Sequence, residues 1–245
     1  MLVKAGVVHQ LWWTNREARR GAGREVAALE REWGSGTAGA GGASGGSGGP
    51  PGSGPPGASG GSRSAAESSK GPGGAGESRA SRRAPGSATQ PRASRPSRAY
   101  VVLTIARLGL RVPVAEGVGK ADVLNKGYAG HYPGTQQPGR PGNFALAGHR
   151  NAHGEPFRYL PRLRRGDPIR VETRSATYTY AVDAILPRTS ARDSGVLRPV
   201  PRSLVRSGYG YDEPGYHLTL TPCTPEFTSR YRMVVWARLV AVRPR

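Results

Sequence analysis

From residue 99 onward, this 245-residue chain reads as a mainly β domain, a closed barrel or sandwich built from seven or eight short strands. Three observations predict it. Apolar and β-branched residues recur in short runs, some in strict alternation; Gly and Pro punctuate the intervals between runs; and few stretches keep a helical period.

Three regions follow one another along the chain: 1–33, 34–98 and 99–245. The first thirteen residues are apolar, interrupted by Lys4, and end in Trp12-Trp13. They are too short to span a bilayer, which takes about 20 mainly apolar residues, and they show no signal-peptide cleavage site. Residues 14–33 are rich in Arg, Glu and Ala, with no glycine after Gly23, and predict a helix. Its apolar side, Val26, Ala27, Ala28, Leu29 and Trp33, is modest, so a solvated spacer helix is expected. Residues 34–98 are Gly, Ser, Pro, Ala and Arg with almost no large apolar side chain. Such a stretch buries too little apolar surface to offset backbone ordering, and predicts a flexible tether.

Within the β domain, strands are expected at 100–106, 112–116, 143–148, 168–173, 177–187, 217–221 and 233–242. Tyr178, Tyr180, Val182, Ala184 and Leu186 keep period two, the mark of a strand with two different faces. Short helical pieces fit 121–126 and 156–163, the latter opening on Pro156, a residue suited to a first helical turn. The connection 188–215 is long for a compact domain and rich in Gly and Pro, so a substrate-recognition role is expected of it.

Three residues at strand ends carry chemistry. Cys223, the single cysteine, ends the run that begins at His217; His149 ends the run that begins at Asn143; Arg232 heads the last strand, nine positions after Cys223. A thiol becomes a strong nucleophile as thiolate, a histidine can carry its proton to a leaving amine, and an arginine can stabilise an oxyanion or hold a substrate. The remaining histidines read otherwise: His153 as an exposed loop residue, His131 as part of a structural turn, and His9 and His217 with no chemical argument.

The runs around these residues are Gly130-His131-Tyr132-Pro133-Gly134-Thr135, Gly142 to Arg150, Gly154-Glu155-Pro156-Phe157, Leu218 to Cys223, and Arg230 to Ala237. In this order and spacing they resemble the sortase family, and within it the class E sortases. The resemblance implies an eight-stranded sortase β-barrel with short helices, preceded by the linker and the N-terminal helix. It implies a cysteine transpeptidase with Cys223 as nucleophile, His149 as acid/base and Arg232 as oxyanion or substrate-positioning residue, without metal or organic cofactor. The implied partners are secreted proteins with a C-terminal sorting signal of the Leu-Ala-x-Thr-Gly kind and an amine of a peptidoglycan precursor. Gln10-Leu11-Trp12-Trp13-Thr14 resembles the outer edge of a class E membrane anchor, so the sequence is expected to start inside that anchor. The catalytic domain is then expected on the extracellular side of the cell membrane. One departure stands beside Cys223: class E members commonly carry threonine before the cysteine and histidine after it, and here Pro222 and Thr224 occupy those places. Proline has no N–H to donate, so substrate preference is where an effect is expected.

Other classes fit less well. Papain-like enzymes place cysteine before histidine, L,D-transpeptidases keep a serine-x-glycine-cysteine run, and one cysteine with five scattered histidines lacks metal-ligand spacing. The net charge of +20 is spread over the chain, with 22 Lys and Arg against 10 Asp and Glu from residue 99. No run of arginines interleaved with aromatics marks a nucleic-acid site, so specific nucleic-acid binding is not expected; attraction to anionic wall polymers or lipid headgroups accounts for the charge equally well. An inactive sortase-like barrel that binds sorting peptides is the alternative reading.

Overall fold

The computed structural model describes residues 2–38, 98–223 and 231–245. The described strands are β1 (Ala99–Ile105), β2 (Leu110–Glu116), β3 (Ala129–His131), β4 (Gly142–His149), β5 (Pro168–Glu172), β6 (Ala176–Ser190), β7 (Tyr216–Cys223) and β8 (Tyr231–Pro244). They close into a barrel in the order β1-β2-β3-β4-β7-β8-β6-β5. Closure resolves the choice between barrel and sandwich, and it removes the free edges that an open sheet would expose. The β2–β3 and β4–β7 pairs are parallel, and the other pairs are antiparallel.

Strand alternation sorts residues between two surfaces. Phe144 and Leu146 of β4, Leu218 and Leu220 of β7, and Met233 and Val235 of β8 fill the interior. Residues of the other parity face outward. There Ala147 joins a second cluster with Val102 and Ala115, and Val234 and Trp236 join a third beneath the β6–β7 connection. The odd positions of β4 and β7 and the even positions of β8 therefore form one outer surface.

A helix, α1, runs over Leu2–Ala38, longer at both ends than the 14–33 that composition suggested and including five residues assigned to the tether. Residues 39–97 of that tether lie outside the described residues. Contrary to expectation, α1 is not a solvated spacer. Ala18, Ala22, Val26, Leu29 and Trp33 are buried at helical spacing, and four of them pack on Val102, Ala115, Leu124 and Tyr128. The stripe looked weak because two of its members are alanines; small side chains contribute little area yet let a helix backbone approach the barrel closely. Burial of Val26 and Leu29 contributes about 1.5 to 3 kcal/mol each. The guanidinium of Arg245, at the end of the barrel, stacks 4.9 Å from the Trp33 ring centroid. Among the described residues no helix is long and apolar enough to cross a membrane.

The expected helical pieces are shorter than their sequence windows. They appear as 3-10 turns at Leu124–Lys126 and Leu160–Arg162, embedded in irregular turns. Strand β3 was absent from the sequence reading because Gly130 and His131 carry no β signal of their own; pairing with β2 and β4 makes it a strand.

Candidate active site

The parallel β4–β7 ladder runs from Gly142↔Tyr216 to His149↔Cys223 without a shift. Two strand ends separated by more than seventy residues are thus set side by side, both at outer-face positions. The β7–β8 ladder ends at Leu220↔Val235, and the same register carried three residues further puts Cys223 level with Arg232. Arg232 is paired on its other side with Thr189 of β6. It is half-buried, and its Nε is buried with no hydrogen-bond partner among the described residues.

Gly148 explains how β4 can present His149. A Cβ at that position would lie 2.7 Å from Cδ2 of buried Phe157, which folds back over the strand end through a Phe157 N–H to His149 carbonyl bond of 2.9 Å. Only glycine leaves room for that ring. The His149 imidazole is half-buried and donates from Nε2 to Asn125 Oδ1 at 2.9 Å. Its pKa is pushed down to about 4 by burial first, then by the neighbouring His153 and Lys120. At neutral pH the ring is therefore uncharged, with Nδ1 as the nitrogen left for proton transfer.

His153 departs from the expected exposed loop position. It is half-buried, and its ring lies 5.2 Å from that of His149 at 31°. The turn after β4 folds against the barrel and α1, which the polar sequence Asn151-Ala152-His153-Gly154 did not reveal. Asn125 was missed as well, since a single Asn in a short turn carries no signal until the turn is placed beside the strand end.

The outer face next to the strand ends is polar and ordered. Thr221 and Tyr132 exchange a hydroxyl hydrogen bond of 2.9 Å, and Thr219 donates to Asn143 Oδ1 at 2.7 Å. Asn143 in turn donates to the Val196 carbonyl at 3.3 Å, which ties the β6–β7 connection to β4. That connection begins after β6 ends at Ser190 and contains a 3-10 turn, Ser194–Leu197. Its organiser is Asp193, a buried carboxylate accepting from Thr189 Oγ1 (2.6 Å), Ser203 Oγ (2.5 Å) and Leu204 N (3.0 Å). Burial raises its pKa, but these hydrogen bonds outweigh burial and hold it below the usual value. Tyr211 is a packing aromatic, buried and stacked on His217 at 4.1 Å, whereas Tyr209 is exposed.

His131 is buried rather than sited in an open turn. Its Nδ1 lies 2.6 Å from Glu116 Oε2 and 2.9 Å from the Tyr100 hydroxyl, and its Nε2 lies 3.0 Å from the Gln136 carbonyl and 2.9 Å from Thr135 Oγ1. Its structural role stands, as a cross-link of β1, β2 and the β3–β4 connection. Among the described residues no three His, Cys, Asp or Glu side chains converge to hold a metal ion.

Residues 103–240 match the family model of the sortase domain. The chain is 37% identical to Sortase SrtE1 of Streptomyces coelicolor over 98% of its own length and 53% of that protein. It is 42% identical to Sortase SrtE2 of the same organism over 48% of its length and 47% of that protein. The chain thus spans about half the length of the curated relatives it matches. Among solved structures, sortase E1 from S. coelicolor with a tripeptide in its active site is 48% identical, with a TM-score of 0.55, over 60% of this chain and 91% of that one. Sortase E from Streptomyces avermitilis is 38% identical, with a TM-score of 0.53, over 60% and 90%. With its β4–β7 ladder ending on histidine and cysteine, its closed eight-stranded barrel and these relatives of class E, the chain belongs to the sortase family.

Proposed function

We propose that this protein is a cysteine transpeptidase that cleaves a C-terminal sorting signal of the Leu-Ala-x-Thr-Gly kind between Thr and Gly. It then passes the acyl chain to an amine of a peptidoglycan precursor, at the extracellular side of the cell membrane. The observation that carries the reading is the pairing of His149 with Cys223 at the end of the β4–β7 ladder. The S. coelicolor sortase E1 with a tripeptide in its active site supports a peptide as ligand.

Proton bookkeeping follows from the uncharged imidazole. His149 takes the proton of the Cys223 thiol, and the sulfur attacks the threonine carbonyl. The imidazolium so formed returns that proton to the glycine nitrogen as the C–N bond breaks. A thioester remains on Cys223 until the acceptor amine attacks it, giving a new amide and restoring the thiol. Arg232 is the cation for the oxyanion or the threonine backbone. Pro222 offers no N–H there, so stabilisation falls more heavily on the guanidinium.

The test is intact-mass spectrometry of the protein incubated with a Leu-Ala-x-Thr-Gly peptide, with and without small amines. A thioacyl adduct lost in Cys223→Ala is expected, and Arg232→Ala should slow acylation by about 10²- to 10³-fold, as loss of an oxyanion donor does. Cleavage retained by Cys223→Ala would remove the assignment. An intact fold that binds the peptide without forming any adduct would favour the inactive barrel.

A further inference from the structure

Helix α1 reaches the barrel in two ways. Its apolar stripe packs on β1 and β2, while its N-terminal part makes a dense polar contact with the turn that follows β4. Asn15 and Arg19, four residues apart on one helix face, meet Gly154 and Glu155. Asn15 Oδ1 accepts from Gly154 N at 3.0 Å, and its Nδ2 donates to Glu155 Oε1 at 3.1 Å. Arg19 donates from Nε to the Gly154 carbonyl and from Nη2 to Glu155 Oε2, each at 3.1 Å. Arg158 adds a third donor to this carboxylate, to Oε2 at 2.6 Å.

Glu155 has a side chain only 6% exposed. A carboxylate so buried is costly unless its oxygens are met by donors, and α1 supplies two of the three named here. The turn is also strained: His153 and Glu155 have φ of 50° and 52°, a region non-glycine residues seldom adopt. Such a conformation persists only when its surroundings impose it.

Both flanks of His149 lie against α1 or the turn that it holds. The held turn carries His153, whose ring lies beside that of His149. On the other flank, α1 presses against Gly127, where an added Cβ would stand 3.0 Å from the Ala18 carbonyl oxygen and 3.2 Å from that of His153. Gly127 closes the 3-10 turn that carries Asn125, the acceptor for His149 Nε2.

We propose that α1 is a brace for the catalytic imidazole, with Asn15, Arg19 and Glu155 as positioning residues that hold the turn of His153, which with Ala18 backs the turn of Asn125 beside His149. The proposal rests on the reading of His149 as proton carrier. Release of the grip leaves a buried carboxylate short of donors, relaxes the turn and admits water beside the ring.

The experiment compares the full chain with the Asn15→Ala/Arg19→Ala variant, using a fluorogenic Leu-Ala-x-Thr-Gly peptide, a thermal melt and an NMR titration of the His149 ring. The double variant should lose roughly tenfold in kcat with KM little changed, as misplacement of a catalytic group does. Its His149 titration should rise from about 4 toward the ordinary histidine value, because water returns to the ring. Arg19→Lys, which keeps a cation for Glu155 but loses the fixed second donor, should fall between the two. Unchanged kcat and titration would overturn the brace, and so would kcat and Tm falling together while the titration stays in place. If the wild-type protein forms no thioacyl adduct, the transpeptidase reading fails instead, and the titration alone still decides whether α1 braces the ring.

Discussion

Asn125→Asp puts a carboxylate where an amide oxygen now stands, 2.9 Å from His149 Nε2, with little change in shape. At that distance a full charge pair is worth about 1.4 kcal/mol in a water-like medium and about 5.7 kcal/mol at an effective dielectric constant of 20. At 1.36 kcal/mol per pH unit, these bounds correspond to a rise of roughly 1 to 4 units in the imidazole pKa. Both groups are half-buried, which favours the lower half of that range. The ring, now at about 4, should therefore titrate near roughly 5 to 6. The sign is upward because a carboxylate stabilises the imidazolium. At pH 7 the charged fraction grows from roughly 0.1% to roughly 1 to 10%. In the proposed mechanism the acid limb of kcat/KM is set by loss of the neutral ring, and it should move up by the same amount. A pH–rate profile between pH 4 and pH 9, paired with an NMR titration of His149, measures both. If neither the limb nor the titration moves, Asn125 does not govern the ring, and the proton path through Nδ1 loses its basis.

Two further outcomes concern the frame of the site. Gly148→Ala places a methyl 2.7 Å from Phe157 Cδ2 and should lower stability by about 1 to 3 kcal/mol, read as a lower Tm that Phe157→Leu partly restores; an unchanged Tm would show that the ring yields freely. Asp193→Ala strands three donors, one on Thr189 of β6 and two on Ser203 and Leu204 of the β6–β7 connection, and should cost about 2 kcal/mol or more, with faster amide exchange across 191–215 and a higher KM for the sorting peptide. Exchange as slow as in the wild-type chain would remove Asp193 as organiser of that segment.

Sequence alone was enough for the fold class and for the three residues proposed to carry the reaction. Strand alternation in 177–187 and the runs ending at His149 and Cys223 are local patterns, and a barrel strand must write its two faces into its own residues. The family resemblance supplied the strand count and the roles. Contacts made by folding were not legible: nothing near Asn125 in the chain shows that it will lie beside His149, and the polar turn 151–154 does not show that it brings His153 back against that ring. The same holds for Glu155, an ordinary surface residue by type whose burial requires a helix some 136 positions away. The apolar side of α1 was underrated for a related reason: alanine contributes little hydrophobic signal, and its value in close packing appears only once there is a surface to pack on. Sequence by itself determined which residues can do chemistry and on which strands they ride. Tertiary structure decided which neighbours surround His149 and how far burial keeps its imidazole uncharged at neutral pH.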